Sequence, residues 1–139
     1  MKKNDHLSLE QLEKDAWPEP DYNSYLVATC HKLRKKRLSD FGVEDLRIMI
    51  GQSIGLKYLL PKAIETLRQN PFSEGDFYEG DLLIAVVRLP ANNVPIDEVY
   101  KEDLALVCQA ALNSVEPKLA DPERDVVAEF LSNLLSHSA

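Results

Sequence analysis

Three histidines, two cysteines and 23 carboxylates are the side chains of this 139-residue chain best suited to chemistry. A nucleophilic triad needs a serine or cysteine poised beside a histidine and an orienting acid. His6, His31 and His137 are far apart, only His31 falls in a clear helical pattern, and nothing local supports such a group. Zinc ligation would show as C-x-x-C, H-E-x-x-H or a similar pair, and none is present. Asp76 and Asp81 could divide acid and base work between them, with His31 as a third member, but among so many carboxylates a pair arises by chance. No glycine-rich phosphate loop occurs. The inventory favours a chain without catalytic residues, bound metal or cofactor.

The strongest chemical signal is a loop. Between Phe72 and Asp81 stand Glu74, Asp76, Glu79 and Asp81 with no basic residue, together with Phe77 and Tyr78. The acids do not fit the D-x-[DN]-x-[DN]-G calcium pattern, and no glutamate occupies the twelfth position counted from Asp76. Such a loop wants water or a partner, and either aromatic could anchor one. Gly75 and Gly80 let it turn sharply twice. Asp81 also has a structural role open to it, as the cap of a helix beginning at Leu82. A second acidic group, Asp97, Glu98, Glu102 and Asp103, lies early in a later helix.

Charge narrows the choice of partner. The formal net charge is −7, yet Lys32, Arg34, Lys35, Lys36 and Arg37 place five positive charges in one run without an acid; setting those five aside takes the rest of the chain from −7 to −12. That surface would repel a phosphate backbone and suit a basic protein. The basic run could read phosphates, but it lacks interleaved aromatics and lies in and beyond the last turn of a helix, where cations answer the helix dipole. Direct nucleic-acid binding is therefore not expected. No apolar run approaches the roughly 20 residues of a membrane span, and Cys30 and Cys108 sit in apolar helical patterns like buried thiols of a reducing compartment. These features predict a protein of the cytoplasm without a membrane partner.

The elements that must position the loop read as helices. At 45% hydrophobic content the chain predicts one compact all-α domain, 1–139, a bundle of about five to seven helices with residues 1–7 flexible. Ser8 and Gln11 form a capping box for a first helix, ended by Pro18 and Pro20. Trp17 and Tyr22 flank these prolines as a clamp on the core edge. Asp21 caps a second helix whose apolar face is Tyr22, Tyr25, Leu26, Thr29, Cys30 and Leu33. Leu46, Met49 and Ile50 share a face of a third, with Glu44, Asp45 and Arg47 solvated. Gly51 and Gly55 break the pattern before a fourth helix, with Pro61 either at its start or at a kink, which Asn70-Pro71 ends. LLIAVVRL, residues 82–89, would serve as strand or helix, and its helical surroundings favour helix. Two more helices follow, from Asp97 and from Asp121-Pro122, the last with Val126, Val127, Phe130, Leu131, Leu134 and Leu135 as its apolar face.

The run VEDLRIMIGQSIGLKYLLPKAIETLRQNPFSEGDFYEGDLL, with YNSYLVATCHKLRKKRLSDF upstream, resembles a family of bacterial contact-dependent growth inhibition (CDI) immunity proteins. DLRIMIGQ and GDFYEGDLL are the distinctive phrases. The resemblance implies a small, mainly helical cytoplasmic protein that is not an enzyme. Such a protein binds the toxin domain at the C-terminal region of a CDI effector, and blocks it stoichiometrically. Toxins of such systems are frequently nucleases with basic substrate sites, which an acidic inhibitor can cover. The residues expected at the toxin interface are Glu74, Asp76, Phe77, Tyr78, Glu79 and Asp81, and in the second group Asp97, Glu98, Glu102 and Asp103.

Overall fold

The computed structural model describes residues 5–18, 24–89, 98–115 and 118–136; among them the regular structure is seven α-helices and one 3-10 turn, with no strand. The helices are α1 (Leu9–Glu13), α2 (Tyr25–Arg34), α3 (Val43–Gly51), α4 (Leu56–Gln69), α5 (Asp81–Val87), α6 (Glu98–Leu112) and α7 (Asp121–Ser136). The 3-10 turn, Leu38–Asp40, joins α2 to α3.

Ser8 caps α1 as its spacing predicts: its hydroxyl accepts from the Gln11 N–H and the Gln11 side chain accepts from the Ser8 N–H at 3.0 Å. The helix ends well before the prolines, at Glu13, where Lys14 turns left-handed at φ 53°. The start of α2 also differs from expectation. Ser24, not Asp21, is its cap, and Asp21 and Tyr22 lie outside the described residues. Its buried face is Cys30, Leu33 and Arg34, while Tyr25 is 85% and Leu26 40% exposed. The apolar spacing at Tyr25 and Leu26 is overridden because an arginine, not a tyrosine, turns inward.

The central helix is α5. Every residue of it except Ala85 is buried, and it packs against α3, α4 and α7. That explains why its sequence shows no period: a helix covered on all sides is apolar on all sides. Around it α3 buries Leu46, Met49 and Ile50, and α4 buries Leu59, Leu60, Ala63, Ile64 and Leu67. Pro61 sits inside α4, past the first turn, where it forgoes one backbone hydrogen bond. Leu104, Val107, Cys108 and Ala111 of α6 and Val127 of α7 complete a core fed by all seven helices. Each fully buried leucine or valine contributes roughly 1.5–3 kcal/mol relative to exposure. In α7, Val126, Phe130, Leu131 and Leu134 pack partly buried against this core, but Leu135, expected on the same face, is half exposed.

Residues 5–8 run beside the 3-10 turn. The N–H of Leu38 donates to the Leu7 carbonyl at 3.0 Å and that of Ser39 to the Asp5 carbonyl at 2.8 Å. Lys62 of α4 reaches Asp5 at 3.3 Å. Two helix joints need a left-handed residue that glycine adopts without strain: Gly55 (φ 66°) before α4 and Gly80 (φ 91°) before α5.

Candidate functional site

The acid-rich loop, residues 72–80, is held down by three charged side chains, two of which come from α3. Asp81 is the first residue of α5, with Gly80 at the cap position, so it does not cap the helix as the sequence suggests. Its carboxylate turns back instead. One oxygen accepts from the Gly75 N–H at 2.7 Å, and the other from the N–H groups of Phe77 and Tyr78 at 3.0 and 3.4 Å. At 3% exposure Asp81 is buried, and these bonds with the Arg47 guanidinium at 3.8 Å answer its charge. A carboxylate so occupied is a strut, which removes Asp81 from the surface set expected at an interface.

Glu44 and Arg47 supply the rest of the clamp. One Glu44 oxygen accepts from the Asp76 N–H at 2.8 Å and from Arg47 Nε at 2.6 Å, and the second oxygen pairs with the same guanidinium. The Arg47 bond holds the Glu44 carboxyl below the usual carboxylate range against the opposing effect of partial burial, and the Asp76 N–H adds to the lowering. Glu44 in turn raises the Arg47 guanidinium. Arg47 lies under the Phe77 ring, 4.3 Å from its centroid. Gly75 is required for closeness rather than for an unusual turn: a Cβ there would run into the carboxylates of Glu44 and Asp81. Both α3 residues look merely solvated in sequence; the three-residue spacing of Glu44 and Arg47 was the one local sign of their pairing.

What remains outside the clamp is a short charged and aromatic surface. Glu74, Asp76 and Glu79 are exposed, Phe77 is 69% and Tyr78 38% exposed, and Lys118 reaches Glu79 at 3.5 Å. Partial burial raises the Tyr78 hydroxyl above its ordinary range, with Glu123 adding to the rise and Arg88 opposing it. The second acidic group is less coherent. Asp97 lies outside the described residues, as does the Glu98 side chain; Glu102 is exposed, and Asp103 is half-buried with Arg68 at 3.7 Å.

The basic run is largely neutralised. Arg34 is 1% exposed; its guanidinium pairs with the Glu13 carboxylate, donates to the Asp15 carbonyl and lies 4.3 Å from the Trp17 ring centroid. Lys36 pairs with Asp45 at 2.7 Å, Arg37 with Asp40 at 3.2 Å, and Lys35 is not free either. Trp17, expected as a clamp on the core edge, is not among the side chains packed against the apolar core; it lies against Arg34 instead, with His31 edge-on at 5.3 Å. His31 is therefore engaged beside α1 while Asp81 is engaged with its own loop, so the structure does not gather His31, Asp76 and Asp81 into one centre. Among the described residues no group of three His, Cys, Asp or Glu side chains could hold a metal ion, and no helix is long and apolar enough to cross a membrane. Cys30 and Cys108 are free and buried; burial raises both thiols, that of Cys108 to about 12.

A family model described as CDI immunity proteins matches residues 11–104, a stretch that takes in the whole clamped loop and both α3 residues that hold it. No curated protein matches the chain.

Proposed function

We infer the function from the family to which this chain belongs, the CDI immunity proteins: it neutralises a contact-dependent growth inhibition toxin by binding the toxin domain at the C-terminal region of a CDI effector. Binding is stoichiometric and takes place in the cytoplasm, and the protein performs no catalysis of its own. The contact surface is the clamped loop, through Glu74, Asp76 and Glu79 with Phe77 and Tyr78, and the toxin face that meets it is basic. Glu102, the exposed member of the second acidic group, extends the charged surface. A basic face of this kind is what a nuclease offers to its substrate, so the toxin is a nuclease whose phosphate-binding site the loop covers.

One observation supports this reading above the rest: the loop backbone is fixed by Glu44 and Asp81, with Arg47 against the Phe77 ring, while its three other acids stay exposed. A surface ordered before binding loses less entropy when the partner arrives, and exposed charges of one sign speed encounter. Replacing Glu74, Asp76 and Glu79 together by lysine tests it. Association with the cognate toxin domain slows by tenfold or more at low salt, and the salt dependence of the rate flattens. An unchanged rate across the salt series removes the loop from the interface.

A further inference from the structure

Beside the loop lies a cleft that the acidic surface does not use. It encloses about 370 Å³ between α3, α5 and the loop, and Arg47, Ile50, Phe77, Tyr78, Ile84 and Arg88 line it. Ile50 and Ile84 lie covered beneath it, and the apolar surface it offers is that of Ala85 and the exposed rings of Phe77 and Tyr78. The two cations differ. Arg47 is taken up by Glu44, Asp81 and the Phe77 face. Arg88 is exposed at the cap of α5; its backbone N–H donates to the Ile84 carbonyl, but its guanidinium makes no hydrogen bond or ion pair with a described residue, and its charge is felt at the Tyr78 hydroxyl. A cation at a helix C-terminus has an ordinary use in answering the dipole. That use accounts for the charge but not for an apolar cleft lined by exposed rings next to it.

We propose that this cleft receives an acidic segment of the toxin domain, an apolar side chain seating against Ala85 and the Phe77 and Tyr78 rings while a neighbouring carboxylate is held by Arg88 and the Tyr78 hydroxyl. The inference rests on the toxin-binding reading of the loop and adds an opposite sign to it. Charge complementarity selects the occupant. A cationic segment would meet Arg88 and Arg47, since the carboxylate in the lining, Asp81, is buried and taken up by loop N–H groups, and a neutral segment would cover Arg88 without pairing it. Placing one cation next to three exposed acids also fixes register, because a toxin face that is basic throughout is repelled at Arg88.

The sign of one substitution decides. With Arg88→Glu in the intact chain, affinity for the cognate toxin domain falls about tenfold or more, as loss of a charge-assisted hydrogen bond requires. Arg88→Lys keeps part of the affinity, and an unchanged melting temperature shows that the exposed site leaves the fold intact. Unchanged or tighter binding of Arg88→Glu overturns the proposal. The lysine triple variant of the loop, measured alongside, separates the two readings. If it binds weakly while Arg88→Glu binds normally, the loop stands and the cleft falls. Should the wild-type chain not bind the toxin at all, the functional reading falls by itself, and the cleft is probed with 3-phenylpropionate against phenethylamine by NMR. Shifts at Tyr78 and Arg88 with the carboxylate alone support the cleft; equal response to both probes, or to neither, overturns it.

Discussion

The acidic loop at residues 74–81 and the basic run at residues 32–37 look like mirror images in sequence, each a short segment of one sign. The fold uses them in opposite ways. In the loop one acid of four, Asp81, goes inward and fixes the backbone, and the other three stay exposed. In the basic run Arg34 goes inward and Lys36 and Arg37 are matched by acids, so among the described residues Lys32 is the member left without a partner. The difference lies in who answers the charge. The loop's buried carboxylate is met chiefly by backbone N–H groups of its own segment, which leaves Glu74 and Asp76 without an ion partner among the described residues while Lys118 answers Glu79; the basic run is met by Glu13 and Asp45 of other segments and by nearby Asp40, which cancels most of it. A charge count thus locates candidate surfaces, and only the pairing shows which charge is available to a partner.

The sharpest break in this comparison is at Arg34. Arg34→Ala removes a buried side chain, empties the space under Trp17 and leaves the Asp15 carbonyl without its donor, and should cost about 3–5 kcal/mol in urea unfolding. Lys-like behaviour, a loss under 0.5 kcal/mol, would return the basic run to the surface. Next in size, Asp81→Ala leaves three loop N–H groups without their acceptor and Arg47 with Glu44 alone, a loss of about 3 kcal/mol. Hydrogen exchange should then quicken most at Gly75, Phe77 and Tyr78, while the amides of α4 quicken only as far as the lost global stability dictates.

A smaller effect follows from acid. Because the Glu44 carboxyl is held below its ordinary value near about 4.3, its contribution is fully present above that pH and is lost as pH falls through the lowered value. The Asp76 amide signal should therefore titrate with a midpoint below the ordinary one, and Arg47→Gln should move that midpoint upward. The smallest change expected is from Lys32→Gln. Stability should stay within about 0.5 kcal/mol and toxin affinity should not change, since the charge has no partner to lose among the described residues.

Much of the helical frame was legible, because its signals are local. The Ser8–Gln11 box, the Leu46, Met49, Ile50 face and the stop at Asn70 each depend on residues a turn or two apart. Residues 82–89 were harder; composition left helix and strand open, and the helical neighbourhood decided correctly. The clamp was hidden for a different reason. The bond from Asp76 to Glu44 spans 32 residues, and that from Arg34 to Glu13 spans 21, so no window of sequence contains both ends. Asp81 stands where the sequence suggests a capping acid, but a cap faces forward into its helix, whereas this carboxylate faces back into the loop. Arg34 was lost among its neighbours, since nothing in a run of five cations marks the one that will be buried.

The loop alternates along its length between residues the fold needs and residues it does not. Gly75 and Asp81 face the clamp, while Glu74, Asp76 and Glu79 touch it through backbone alone or not at all. Those three side chains form a replaceable cassette: they can be randomised together in a library without unseating the backbone that carries them. Retargeting the scaffold to a toxin of different surface chemistry would then require a search over three exposed positions, with α3 and α5 left as they are.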